Sequence, residues 1–470
     1  MNYPLRLRSG FAVLGIGLAL GLLEIIVARG GVQERFALGV VVVLCGAVLS
    51  LLPLRAAMPP AVVLACNQGF LLYFVGGPAR YWKEAFALGL LIRALRRGAP
   101  NALEVAATAA LCSVGIAYAL RGSSGSEVLW GLKLLVFFLI VGWSILRLEP
   151  DARDWLATYL GLCAATAGAV VFALWQTASG VDRLMQLGYP YGGPIRVANG
   201  SLRAFAGFTY GAPFAYTLSL CALCWIAFVL CGASRVTIAT AWVAPIALLG
   251  IALSLNRIAL VASSASLCVA LIRHRGVRIG AVALVLGVFV AIAGGRNLDF
   301  IAQGFTFGSY SAHARTSIWA QRWSDVSAFG HGPSSAGVGA DKVHVATAAI
   351  SAATGASEAV VDNQYLSWLY QYGVVLGIVI AALWVLTMLR PFAFPSRTPA
   401  GVAGELVGVF AVVAAVGVNV WEEFPVNFIV AASLAMSLAA YRGERLPARV
   451  TVSCTRSAPT RLDEVDVVTA

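Results

Sequence analysis

Charge is scarce in this chain. Only 11% of its 470 residues are Asp, Glu, Lys or Arg, against about a quarter in an ordinary soluble domain, which excludes a water-soluble enzyme. Also missing are a G-x-x-x-x-G-K-[ST] phosphate loop, a glycine fingerprint between strand and helix, H-E-x-x-H and any Asp-x-Asp pair, so neither nucleotide hydrolysis nor a zinc site is expected. The four histidines, His274, His313, His331 and His344, are too scattered for a metal cluster, and no metal or other cofactor is expected. Eight of the nine cysteines are isolated or lie inside apolar runs, the ninth being Cys454 in the tail, which argues against a disulfide framework. Cys221 and Cys224 form C-x-x-C in an apolar run with no second ligand pair and read as small packing residues.

Apolar residues make up 60% of the chain. They are gathered into blocks of about 20, the length that crosses about 30 Å of hydrocarbon as a helix. The blocks fall at 11–28, 36–54, 60–77, 82–98, 103–119, 127–146, 154–175, 212–231, 236–255, 258–272, 279–294, 363–388, 401–420 and 425–441. The block at 82–98 ends in Arg93, Arg96 and Arg97, so it either spans by snorkelling or lies in the interface plane. The first block lacks a small-residue cleavage site and reads as a retained helix. The expected fold is an all-α polytopic membrane protein of about 12–14 transmembrane helices.

The net charge of +12 comes from short Arg clusters between apolar runs. Without a continuous basic stripe they do not suggest nucleic acid; they orient the helices. With the N-terminus inside, Arg55, Arg93/Arg96/Arg97, Arg147/Arg153, Arg235, Arg273/Arg275/Arg278, Arg390/Arg397 and the tail arginines are cytoplasmic. Two long polar loops, 177–211 and 295–362, then face outward. Loops of this length between helices are commonly functional. The resulting organisation is N-terminal helices over 1–176, the first outer loop, the helices and large loop up to 377, C-terminal helices over 378–441 and a cytoplasmic tail over 442–470.

Arginines stand at the outer ends of the apolar runs: Arg196, Arg203, Arg257 in LSLNRIALV, Arg315 and Arg322. A charge beside hydrocarbon costs several kcal/mol unless it pairs or faces water. Arg offers a permanent, bidentate fork for phosphate, so Arg196, Arg203, Arg257 and Arg315 are candidate ligands of a lipid phosphate or diphosphate; the bland alternative is that each snorkels. Asp362, at the outer start of a long apolar helix, is either its N-cap or a general base beside the phosphate site. His331, between glycines in FGHGP, either shares acid–base work or is a plain turn residue. Glu422 and Glu423 in NVWEEFPVN either support the arginines or mark the interface.

Three segments resemble the bacterial O-antigen ligase and polymerase superfamily: RAFAGFTYGAPFAYTLSL at 203–220, SLNRIALVASSASL at 254–267, and the stretch from RTSIWAQRWSDVSAFGHGP at 315 to DNQYLSWLYQYGVVLG ending at 377. The resemblance implies a metal-independent, inverting C-type glycosyltransferase. Its donor would be an undecaprenyl-diphosphate-linked glycan, and its acceptor a hydroxyl of another glycan or of lipid A core, at the periplasmic face of a bacterial inner membrane. It assigns the diphosphate to Arg203 and Arg257. Asn363 and Gly373 keep a spacing of the family's ligases, whereas Asp362 stands where those ligases have His. That departure favours a polymerase of surface or exported polysaccharide over a ligase acting on lipid A core. A lipid or solute transporter is the alternative of a different class.

Overall fold

The computed structural model describes residues 32–75, 77–198, 200–273, 310–338, 362–393 and 396–445. The apolar runs at 11–28 and 279–294 and the tail beyond Arg445 lie outside them. The described chain is helical almost throughout: α1 (Val32–Leu51), α2 (Leu54–Cys66), α3 (Gln68–Phe70, continued as a π-turn over Leu71–Val75), α4 (Trp82–Arg96), α5 (Ala102–Leu120), α6 (Gly125–Arg147), α7 (Ala152–Gln186), α8 (Gly211–Leu230), α9 (Ser234–Ala239), α10 (Val243–Ser254), α11 (Arg257–Arg273), α12 (Tyr310–Ser324), α13 (Gln364–Ala393), α14 (Pro399–Ala414) and α15 (Val426–Arg445). A two-residue ribbon, β1 (Val197–Ala198) paired antiparallel with β2 (Ser201–Leu202), is the sheet among the described residues.

By length and composition α6, α7, α8 and α13 can each cross a membrane, and the bent pair α2–α3 makes a fifth. α7 and α8 form the centre, with 78% and 83% of their most apolar stretch buried, while α6 and α13 stand at the rim with 39% and 28%. The rim helices expose large apolar side chains, among them Val375 at 70%, Leu383 at 60% and Leu386 at 66%. A surface of that kind suits lipid rather than water. Small residues let the central backbones approach closely. A side chain at Gly161 of α7 would strike Pro59 of α2, and Gly404 and Gly408 of α14 face Ser437 and the Met388 backbone. Loop-side starts are well capped: Asn101, Ser124 and Asp151 each close a capping box.

Several runs that look continuous in sequence are broken. The run at 60–77 bends by 60° at Asn67, between α2 and α3. The run at 236–255 is split into α9 and α10. The run at 154–175 instead continues as α7 to Gln186, past a break at Gly180 (φ +76°), so the first part of the segment expected as the loop 177–211 is helical. The largest correction concerns the run at 363–388. Gly373 sits at φ +81°, ψ 174°, a conformation essentially confined to glycine, and residues 364–372 fold back along the rest of α13. The Trp384 ring lies 6.1 Å from Tyr365 and 5.5 Å from Trp368, whereas one straight helix would separate residues 365 and 384 by about 28 Å. Residues 374–393 alone remain long enough, at about 30 Å, to cross the hydrocarbon.

The break in α13 is filled by the segment after α12. Tyr370 and Gln371 carbonyls accept from the backbone N–H of His331 and Gly332 (both 2.9 Å), and Val374 N–H donates to Ser327 (3.2 Å). Gly330 and Gly373 meet so closely that a Cβ on either would overlap the other strand's backbone. Gly373→Ala adds both that overlap and a disfavoured φ, a strain of about 1–3 kcal/mol before any clash. The variant is expected to unfold at a clearly lower temperature in detergent, as followed by circular dichroism.

Candidate active site at the mouth of the helix bundle

A buried, non-helical stretch forms the floor of the site. Ala204, Phe205, Ala206 and Phe208 are each at most 1% exposed, so their backbone groups need partners within the protein. Ala204 N–H donates to Leu253 at the end of α10 (3.0 Å), and Phe70 N–H, just past the α2–α3 break, donates to Gly207 (2.9 Å). The buried Gln176 amide of α7 both accepts from Ala206 N–H (2.8 Å) and donates to its carbonyl (3.0 Å). One loop thereby joins α3, α7 and α10.

This loop presents the arginines. The Arg203 Nε donates to the Ser254 carbonyl (3.2 Å), at the C-terminal end of α10, where a cation is favoured by the helix dipole. Leu255 then turns at φ +52°, and Asn256 starts α11 by accepting from Ala259 N–H (3.0 Å). Arg257 is the first residue of α11, three residues from the carbonyl that Arg203 touches. Arg203 N–H also donates to the Arg196 carbonyl (2.9 Å). The Arg196 guanidinium is steered by Gly193 (3.2 Å) and lies 5.1 Å over the Tyr210 ring, a cation–π geometry.

Tyr210 carries the arrangement to the carboxylates: its hydroxyl donates to Oε1 of Glu423. Glu423 is buried, and its Oε2 has no hydrogen-bond partner among the described residues. Burial, reinforced by the charges of Asp362 and Glu422, pushes the Glu423 carboxyl up to about 8, against the opposing Tyr210 hydrogen bond and Arg196 charge. Burial also drives the Tyr210 phenol well above its usual range, with Glu423 and Asp362 adding to the effect.

Asp362 is half-buried and is not the cap of α13. That role belongs to Asn363, whose Oδ1 accepts from Leu366 N–H (3.1 Å). Next to it, Gln364 is fully buried and bonded on all sides: its N–H donates to Ala415 (2.9 Å), its Oε1 accepts from Trp421 N–H (3.0 Å), and its Nε2 donates to Glu422 Oε1 (3.0 Å). The other Glu422 oxygen accepts from Val338 N–H (2.7 Å). Glu422 thus fastens three segments together, and Glu423 faces the arginine side. Ile258, beside Arg257, packs on Gly417 of the same connection.

Of the residues singled out in the sequence, Arg196, Arg203, the start of α11 at Arg257, Asp362, Asn363, Glu422 and Glu423 therefore lie in one neighbourhood. His331 does not. Its ring stacks on Tyr370 at 4.2 Å and its Nε2 donates to the Asp325 carbonyl (2.7 Å), about 9 Å along the helix from Gln364; it serves the α13 break. The Arg315 side chain lies outside the described residues, while Arg322 donates to the Tyr370 hydroxyl (3.0 Å). Sequence reasoning missed Tyr210 and Gln176, whose roles depend on tertiary contacts. It also missed Gln364, which was signalled by a polar amide just inside an apolar run.

In comparisons with known proteins the chain matches no family model, and no curated protein is significantly similar to it.

Two predictions follow from this geometry. Asn363→Ala should cost about 1 kcal/mol, whereas Asp362→Asn, which leaves the cap in place, should change stability by less than about 0.5 kcal/mol; thermal unfolding in detergent separates them. Glu423 binds its proton more tightly folded than unfolded, so its contribution to stability is fully present below its ordinary value of 4.5 and is lost as pH rises to about 8. Glu423→Gln should flatten the wild-type fall in unfolding temperature across that window.

Proposed function

We propose that this protein is a membrane glycosyltransferase of the O-antigen ligase and polymerase type. It transfers a glycan from an undecaprenyl-diphosphate carrier to an acceptor sugar hydroxyl at the periplasmic face of a bacterial inner membrane. The observation that carries this reading is the convergence of Arg196, Arg203 and the start of α11 at Arg257 with the carboxyls of Asp362 and Glu423. Apolar helices around that mouth suit a lipid-borne donor. In the same reading the chain has about 12–14 transmembrane helices, with the loops at 177–211 and 295–362 on the periplasmic side.

The chemistry follows from the groups present. A deprotonated acceptor hydroxyl attacks the anomeric carbon, the bond to the diphosphate oxygen breaks, and the electron pair departs on the diphosphate. Guanidinium groups fixed beforehand stabilise that developing charge without reorganising, commonly the largest catalytic contribution. The carboxylate side of the mouth receives the proton. Asp362, where the family's ligases carry His, favours chain polymerisation over transfer to lipid A core.

A second reading, transport of a lipid or solute, is favoured by one observation. The helix breaks at Asn67 and Leu255 both receive the 203–208 loop, and helices broken at a binding site are a transporter trait. Purified protein given lipid-linked repeat units distinguishes the two. Longer glycans without lipid A core mean polymerase, single capping of added core means ligase, and unchanged glycan means neither. Arg257→Ala is expected to lower transfer by at least about 100-fold with the protein still inserted; Arg203→Ala should do the same and also loosen the end of α10. Normal product yield in Arg257→Ala would overturn the diphosphate assignment.

A further inference from the structure

Two carboxyl side chains compete for the role of proton acceptor at the mouth, and their surroundings differ. Asp362 is half-buried at the entrance to α13. Glu423 is 5% exposed, one oxygen held by the Tyr210 hydroxyl and the other without a hydrogen-bond partner among the described residues. A buried carboxyl oxygen left in this way is costly in a merely structural residue. Glu422, its neighbour in sequence, has the contrasting structural pattern: both its oxygens are bonded, to Gln364 and Val338.

Tyr210 solves the problem of access. Its ring is half-buried and lies beneath Arg196, on the arginine side of the mouth, while its hydroxyl points its proton at Glu423. An acceptor hydroxyl placed against the Tyr210 oxygen has a two-step route for its proton into the buried carboxylate. We propose that Tyr210 and Glu423 form a proton relay: the acceptor O–H gives its proton to the Tyr210 oxygen as Tyr210 gives its own to Glu423. The acceptor oxygen thereby gains the electron pair with which it attacks the anomeric carbon. The proton on Glu423 returns to water once the diphosphate has left. This inference rests on the glycosyl-transfer reading and names the acid–base residues within it.

The groups facing Glu423 give the relay a pH signature. Asp362 and Glu422 raise its proton affinity, Arg196 and the Tyr210 bond lower it, and Lys83 lies 4.5 Å over the ring of adjacent Phe424. A base whose affinity is set near the working pH is well suited to general base catalysis. The rate should rise with pH as Glu423 loses its resting proton and level off above about 8. Asp362, in this scheme, tunes Glu423 and is a positioning residue.

The test uses full-length protein in proteoliposomes with lipid-linked repeat units, reading transfer rate against pH together with binding of the lipid-linked donor. Tyr210→Phe and Glu423→Gln are each expected to lose about 100-fold or more in rate with donor binding retained. The double variant should be no slower than the worse single one, because the two act as a unit. Asp362→Asn should move the rising limb to lower pH, as a negative neighbour of Glu423 is removed. Tyr210→Phe keeps the ring under Arg196, so it tests the relay even if Glu423→Gln fails to accumulate. Wild-type rate in Tyr210→Phe, losses that multiply in the double variant, or abolished transfer in Asp362→Asn would each overturn the relay and leave the glycosyl-transfer reading standing. No transfer by the wild-type protein overturns that reading and the relay with it.

Discussion

Backbone that leaves a helix inside an apolar bundle must find every hydrogen-bond partner within the protein, because lipid supplies none. That constraint organises this molecule. The 204–208 stretch is irregular and buried, and it persists because Gln176, Leu253 and Phe70 satisfy it. The partners are themselves backbone groups near helix ends, or an amide side chain within α7. The breaks at Asn67, after α10 and at Gly373 are thus each matched by a loop segment that bonds there.

The same economy explains why the charged residues cluster. Helix breaks are where carbonyls and N–H groups stand unpaired, and Arg203 at the end of α10 and Asn256 at the start of α11 answer that need. Arginine held in this way is fixed in place before any ligand arrives, and its direction is decided by the fold. The acidic side is divided by hydrogen bonding: Glu422 ties α13, the 415–421 connection and Val338 together, and Glu423 has one oxygen without a hydrogen-bond partner among the described residues. Two adjacent glutamates of identical chemistry thus stand in different hydrogen-bonding surroundings.

Much of this was legible in the chain. Apolar blocks gave the helical class and most helix positions, and the scarcity of charge made each Arg and Glu near a block worth attention. Seven of the nine site candidates do come together. What periodicity could not reveal was discontinuity: Gly373 lies inside an apolar run, and nothing in its neighbours announces a positive φ. Asp362 and Asn363 are both good caps by type, so only the geometry decides between them. His331 drew notice for its chemistry, yet its backbone and stacked ring serve the closure of a bend. Tyr210 is one aromatic among many until its hydroxyl is seen against Glu423.

The glycine seam between residues 330 and 373 has a wider reach than the local bend. The segment that fills it also offers the Phe329 carbonyl to Tyr118 of α5 (2.8 Å) and Arg121 (3.0 Å), and the Ser334 hydroxyl to the Glu127 carbonyl at the start of α6 (3.0 Å). The α5–α6 hairpin and the returning half of α13 are therefore coupled as one lever. Any widening of the elbow at Gly373 must either drag that hairpin along or release it, so a tilt of the rim helices would be registered at the entrance where Asp362 stands.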